Sequence, residues 1–391
     1  VAPAEAVEPQ PASAPGGADP PAPKIGLVLG GGGARGFAHI GVIEALEEAG
    51  VKPDVIAGTS MGAVIGALYA VGYSPQELRD IATDIDWSEL FNDATSRERL
   101  IFRRKTDDQQ FSTRIKLGVK DGRVVLPRGI IQGQKLLLTL SELINERAPG
   151  VPIERLATPF RAVATDLETR EAVVFDQGDV VSAVFASMAV PGFLPPVETG
   201  GRSLIDGGLA NNVPVSVARA MGADIVIVVD LGTEPAKAAD IKNFTDVIVQ
   251  LTAFMTLETA KREIESLTAR DILIAPDLKS VSPLAFNEGE ALIALGAAAA
   301  AAQGEKLAAL GGARRGELLA GRTTEETPAP PIDFVALDNR TVSPDRLIVE
   351  ALDIKTGEPL DYERLTGNIT DLYGYDLFKR IEYRIVSRDE G

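Results

Sequence analysis

The stretch that decides the fold is KIGLVLGGGGARGFAHIGVIEALEEAG at residues 24–50, continued by VKPDVIAGTSMGAVIGALYA at residues 51–70. Ile25 to Leu29 is a short apolar run, the pattern of a strand buried on both faces. A glycine cluster follows, and Phe37 to Ala49 then reads as an amphipathic helix closed by Gly50. Asp54 to Ala57 is a second short strand, followed by a Gly-bracketed turn and a helix over Met61 to Ala70. Strand alternating with helix means parallel βαβ units and a sheet covered on both faces.

Outward from that stretch the alternation recurs. Phe160 to Ala164, Asp224 to Asp230 and Asp271 to Ala275 read as further strands, and an Ala-rich helix over Ala291 to Leu310 closes the unit. The fold class is therefore α/β, three layers with a mostly parallel central sheet, spanning residues 24–312. Residues 1–23 hold seven Pro and seven Ala with no aromatic residue. Such a segment cannot bury enough apolar surface to offset its ordering entropy and reads as a disordered linker. Its expected place is directly after a removed targeting signal. Residues 313–331 are a second, polar linker. Beyond it, Ile332 to Leu337 and Phe378 to Val386 read as strands around helices at Pro344 to Ala351 and Asp361 to Tyr373, a small α+β module over residues 332–391.

Composition removes several functions. The 391 residues carry 39 basic against 56 acidic side chains, a net charge of −17. Nucleic-acid binding needs clustered Lys and Arg to displace counterions, so no nucleic-acid partner is expected. The same charge argues against electrostatic attraction to anionic lipid as the main mode of contact. There is no cysteine, which excludes thiolate catalysis, disulfides and Cys-based zinc sites. No apolar run reaches the roughly 18 residues of a spanning helix.

Three elements carry chemistry. Gly58-Thr59-Ser60-Met61-Gly62 is a G-x-S-x-G sequence between strand and helix. A serine on such a turn stands exposed at the carboxyl edge of the sheet, with Gly58 and Gly62 letting the backbone turn. Gly30 to Gly33 with Ala34-Arg35-Gly36 follows the first strand, and consecutive glycines let several N–H groups converge on a developing oxyanion. A dinucleotide-binding reading of Gly31, Gly33 and Gly36 competes. It wants an acidic residue at the end of the second strand, whereas Asp54 opens that strand. The third element is Asp206-Gly207-Gly208, which alone is an ordinary turn. It matters because the only histidine, His39, falls with Val42, Ile43 and Leu46 on the apolar face of the first helix, where a packed imidazole is expected. A serine hydrolase without a free histidine needs another base, and a carboxylate within about 3 Å serves.

Taken in this order, the three elements resemble bacterial patatin-like phospholipases. The likeness extends through Ala164-Thr165-Asp166-Leu167, Ala186-Ser187, Pro191-Gly192-Phe193, Pro195 and Asn211-Asn212-Val213-Pro214. The resemblance implies a serine lipid acyl hydrolase of the phospholipase A type working with a Ser–Asp dyad. Ser60 attacks the ester, Asp206 takes its proton, and the amides of Gly31, Gly32 and Gly33 hold the oxyanion. Arg35 positions the loop or a lipid phosphate, with a surface or loop-bracing ion pair as the competing reading. No metal or cofactor is implied. A general carboxylesterase, lysophospholipase or acyltransferase uses the same dyad and stays open, as does a non-catalytic secretion passenger.

Residues 332–391 resemble a POTRA module through Leu360 to Val386, shortened by its last strand. The combination is similar to type V secreted lipases, which implies an outer-membrane β-barrel partner and export through the periplasm to the surface of a Gram-negative bacterium. Contact with a membrane surface is expected, and oligomeric state stays open, a homo-oligomer among the alternatives. Asp86 to Arg123, where Trp87, Leu90 and Phe91 interleave with arginines, reads as a cap or lipid-contact segment. An ordinary solvated insertion is the competing reading.

Overall fold

The computed structural model describes residues 22–91, 118–120, 123–125, 129–232, 235, 239, 241–279, 281–311, 331–375 and 377–386. The linkers expected at 1–23 and 313–331 lie outside the described residues, apart from 22, 23 and 331, and so does most of Asp86 to Arg123.

The strands are β1 (Ile25–Leu29), β2 (Val55–Thr59), β3 (Gly118–Lys120), β4 (Arg123–Val125), β5 (Phe160–Asp166), β6 (Ala172–Phe175), β7 (Val197–Thr199), β8 (Arg202–Asp206), β9 (Ile225–Val229) and β10 (Ile272–Ile274). Eight of them form one sheet in the order β10-β9-β1-β2-β5-β8-β7, with β6 also on β5, while β3 and β4 make a separate hairpin. From β10 to β5 every pairing is parallel, and β8 joins β5 antiparallel through Ala164 opposite Asp206. Strands β1, β2 and β9 are buried along their whole length, as their unbroken apolar runs require.

Alternate residues of these strands feed two cores. Leu27, Leu29, Ile56, Ile227 and Val229 face one cluster with Phe37, Ile40, Val64, Leu68, Phe185 and Leu292. Val28, Ala57, Val163, Val226 and Val228 face the other, with Val213, Val217 and Ala260. The first core is roofed by α1 (Ala38–Glu48), α2 (Met61–Ala70), α3 (Pro75–Asp84), α4 (Trp87–Leu90), α5 (Gln134–Arg147) and α6 (Val180–Ser187). After β8 come α7 (Gly208–Asn211), α8 (Val215–Ala220) and the 22-residue α9 (Phe244–Glu265), and α8 and α9 cover the second core. Three layers result, as expected.

The single helix expected over Ala291 to Leu310 is two, α10 (Gly289–Ala301) and α11 (Gly304–Gly311). The turn between them lets Leu307 stay buried while Gly311 seats against the Ala49 carbonyl, where a Cβ would collide. The cap reading of Trp87 is corrected as well. Its side chain is 2% exposed and packs edge-on to Phe37 at 5.3 Å and stacked on Phe286 at 6.3 Å. Trp87 and Leu90 are core residues, not lipid contacts.

At the C-terminal end, α12 (Asp345–Leu352) and α13 (Tyr362–Tyr373) form where expected, but the flanking strands Ile332 to Leu337 and Phe378 to Val386 do not. The backbone of Ile381 is engaged by a side chain instead of a strand: its N–H donates to Gln134 Oε1 at 2.9 Å and its carbonyl accepts from Gln134 Nε2 at 2.7 Å. Leu365 and Ile369 of α13 pack on Leu138 of α5, with Leu360, Ile381 and Tyr383 around them. No sheet of a POTRA-like module is present among the described residues. No described helix is long and apolar enough to cross a membrane.

Candidate active site

Strand β2 runs directly into Ser60, which caps α2 with φ 52° and ψ −123°. A non-glycine residue in this region costs on the order of 1–3 kcal/mol and persists only where its surroundings hold it. Two glycines are what make the turn sterically open. A Cβ at Gly58 would run into the Gly62 carbonyl, and one at Gly62 into the Leu29 carbonyl. The amide of Ser60 donates to Ser187 Oγ at 2.9 Å. The N-terminus of α2 lies directly behind the hydroxyl and favours negative charge there.

The glycine loop lies against this elbow. A Cβ on Gly31 would stand 3.1 Å from the Ser60 Cβ. Its amide, however, donates to the Asn212 carbonyl at 3.1 Å, and that of Gly30 to the Val229 carbonyl at 3.1 Å. Gly31 is thus corrected as an oxyanion donor in this conformation, because its N–H is spent on tying the loop to the segment after α7. The amides of Gly32 and Gly33 have no protein acceptor among the described residues. Gly33 adopts φ 59° with a Cβ position occupied by the Pro283 carbonyl, so both conformation and space demand glycine. Gly36 leaves room for the Met61 side chain.

Arg35 is buried, and its guanidinium donates from Nε to the Val281 carbonyl at 2.8 Å and from Nη1 to the Gly232 carbonyl at 2.9 Å. These bonds tie the glycine loop to the chain at Val281 and Gly232. His39 is fully buried and donates from Nε2 to the Gly30 carbonyl at 2.8 Å. Burial pushes its pKa down to about 4, the Gly30 contact opposing. It is a neutral prop for the loop, as its place on the apolar helix face implied.

Asp206 ends β8, 3% exposed. The Gly208 amide donates to its Oδ1 at 2.8 Å, and Gly207 packs so closely on the Val163 carbonyl that no side chain fits there. Burial pushes the carboxyl up to about 6, opposed by the Ser60 hydroxyl and then by the Gly208 amide. The hydroxyl is near enough to act on the carboxyl, yet Oδ2 is buried with no hydrogen bond of good geometry. Catalytic hydrogen bonds are often long in an empty site and tighten when substrate arrives. A buried acceptor left open beside a strained serine is what a general base requires.

The remaining motif residues are scaffolding. Thr165 donates its hydroxyl to the Asp206 carbonyl at 2.8 Å and accepts from the Ala210 amide at 3.1 Å. Thr59 Oγ1 donates to the Asn211 carbonyl at 2.9 Å, and Asn212 Nδ2 reaches the Gly31 carbonyl at 3.4 Å. Asp166 caps its own turn by accepting from the amides of Glu168 and Thr169. The sequence reading assigned no role to Ser187. Its signal was there: a serine in the apolar run VVSAVFASMAV, residues 180–190, must find partners once buried.

Residues 27–219 match the family model of patatin-like phospholipase. An uncharacterised NTE family protein of Mycobacterium tuberculosis is 36% identical over 219 residues, 56% of this chain and 52% of that one. Patatin-like phospholipase domain-containing protein 7 of Rattus norvegicus is 34% identical over 226 residues, 57% of this chain and 14% of that one. The chain thus spans about half the length of the mycobacterial protein and a smaller part of the rat one. Among solved structures, VipD from Legionella pneumophila aligns over 75% of this chain and 67% of that one at TM-score 0.36 and 16% identity, too distant to carry an argument. Residues 27–219, which hold the glycine loop, Ser60 and Asp206, are thus similar to the patatin-like phospholipase family.

Proposed function

We propose that the protein is a serine lipid acyl hydrolase that cleaves phospholipid esters through a Ser60–Asp206 dyad. The observation that carries this reading is the strained Ser60 facing a buried Asp206 whose Oδ2 is unpartnered. In the ionised state Asp206 accepts the Ser60 proton as Oγ attacks the ester carbonyl. Charge developing on the carbonyl oxygen is met by the free amides of Gly32 and Gly33 and the N-terminus of α2, groups fixed before the reaction starts. The tetrahedral adduct collapses to an acyl-serine, and Asp206 returns its proton to the departing alcohol. Water then attacks the acyl-serine with Asp206 again as base, releasing fatty acid and regenerating Ser60.

Phospholipid as the substrate is supported by the family matched and by the names of relatives such as the rat protein. Export, a membrane-barrel partner and surface localisation rest on the resemblance of residues 332–391 and on the Pro/Ala-rich residues 1–23. The two helices of that resemblance form and its strands do not.

The test is hydrolysis of a soluble p-nitrophenyl ester and of phosphatidylcholine vesicles by wild type, Ser60→Ala and Asp206→Asn, each checked for folding. Both variants are expected to lose about a thousandfold or more in kcat, and wild type to release free fatty acid from vesicles. Ester activity without vesicle hydrolysis would reduce the function to a small-ester hydrolase, and activity surviving Ser60→Ala would remove the dyad.

A further inference from the structure

Ser187 sits at the C-terminal end of α6 and is completely buried. Its hydroxyl accepts from the Ser60 amide at 2.9 Å and donates to the Val163 carbonyl at 2.5 Å. Its own carbonyl accepts from the Gly207 amide at 3.1 Å, and two residues on, the Ala189 carbonyl accepts from the Asp206 amide at 2.9 Å. One short segment therefore holds the backbone of both dyad residues, and Val163 of β5 is the fixed point between them. Strand β5 is the neighbour of β2, which carries Ser60, and of β8, which carries Asp206.

We propose that Ser187 is the positioning residue of the dyad: its hydroxyl sets the Ser60 elbow, and its main chain sets the Asp206 turn, at the separation proton transfer needs. The inference rests on the Ser60–Asp206 reading above. The polarity of the hydroxyl is fully determined, because Ser60 offers it a donor and Val163 an acceptor. Alanine at this position leaves an N–H and a carbonyl unpaired in a dry interior. The group that loses its partner is the amide of the strained residue itself, which has the most to gain by relaxing. A displacement of the order of 1 Å between nucleophile and base costs about a hundredfold in rate. Ser187 is completely buried and offers no surface to a substrate, so KM should not move.

The experiment compares Ser187→Ala with Val184→Ala, which truncates a buried aliphatic residue one turn earlier on the same helix and bonds to neither dyad residue. Soluble p-nitrophenyl ester hydrolysis, the rate of Ser60 labelling by a fluorophosphonate, and Tm are measured for each, with Ser60→Ala as blank. The expected result is kcat and labelling rate lowered tenfold to a hundredfold in Ser187→Ala with KM within about twofold. Val184→Ala should lose at least as much Tm and keep kcat within about twofold. Ser187→Ala within twofold of wild type would overturn the proposal, and so would an equal loss in Val184→Ala, which would make the effect general loosening of α6. If wild-type activity does not depend on Ser60, it is the dyad reading that fails, and the blank reports this separately.

Discussion

The two arms of the site are built in opposite ways. The arm that carries the proposed nucleophile, residues 24–70, consists of parallel strands buried end to end, and at Gly36, Gly41, Gly58 and Gly62 it leaves no volume that a side chain can take. The arm that carries the proposed base reaches Asp206 along β8, an antiparallel strand whose first residue is exposed, and is covered from outside by α9. Geometry is over-determined on the first arm. On the second, burial sets the chemistry, by moving the pKa of one carboxyl. Substitutions should therefore break the first arm by steric collision and retune the second by charge.

Gly62→Ala gives the largest expected effect. The added Cβ would lie inside the Leu29 carbonyl, and the Gly30 carbonyl is 2.7 Å away. Both are backbone atoms of the central strand and its exit, so no flexible side chain can yield. Loss of more than about 4 kcal/mol of stability is expected, together with all Ser60-dependent activity. A thermal melt within a few degrees of wild type would show that the arm is more compliant than its packing implies.

The base arm predicts a pH effect of a few kcal/mol. The folded pKa of Asp206, about 6, lies above the ordinary carboxyl value of 3.8, so the folded state binds the extra proton and stability falls as pH rises through that window. For His39 the folded value, about 4, lies below 6.5, so the unfolded state binds the extra proton and stability rises with pH between these values. The two slopes oppose each other, each reaching about 3 kcal/mol. Asp206→Asn removes the falling slope. Urea unfolding at pH 4.5 and pH 6.5 should show a gain with pH about 2 kcal/mol larger in the variant than in wild type. Equal gains would mean the carboxyl is not held up by burial.

The rate should report the same carboxyl. Proton acceptance needs ionised Asp206, so kcat/KM is expected to climb to a plateau above about pH 6 and to stand near one tenth of the plateau at pH 5. A profile flat from pH 5 to 8 on a soluble ester would take the base role away from this residue.

The contrast between the arms also explains what the sequence disclosed. Parallel strands announce themselves: IGLVL at β1 and IVIVV at β9 are unbroken apolar runs, and Met61 to Ala70 is a helix to the residue. The glycine motifs were readable because close packing leaves a compositional trace. Strands β6, β7 and β8 were not, since each is short and partly exposed and carries no alternation long enough to count. Which loop amides point at substrate was equally hidden. Consecutive glycines offered three donors, and only the fold shows that Gly31 is spent on Asn212. The C-terminal strands were misread for a related reason. Apolar residues at Phe378 to Val386 fit a strand pattern, but the polar partner that takes the Ile381 backbone, Gln134, lies 247 positions away.

The smallest effect expected tests how far the outer cover matters to the base. Thr259 of α9 is buried and donates its hydroxyl to the Gly208 carbonyl at 3.1 Å and to the Thr256 carbonyl at 3.0 Å. Gly208 is also the residue whose amide holds Asp206 Oδ1. Thr259→Val keeps the shape and removes the donor, leaving the Gly208 carbonyl short of one bond. About 1 kcal/mol of stability should be lost. If the Asp-Gly-Gly turn is held mainly from within, by Thr165 and the Ser187 segment, kcat will stay within about threefold of wild type. A tenfold fall in kcat at that small stability cost would mean that α9 is part of what fixes Asp206. The base arm would then be set from its outer face as much as from the sheet.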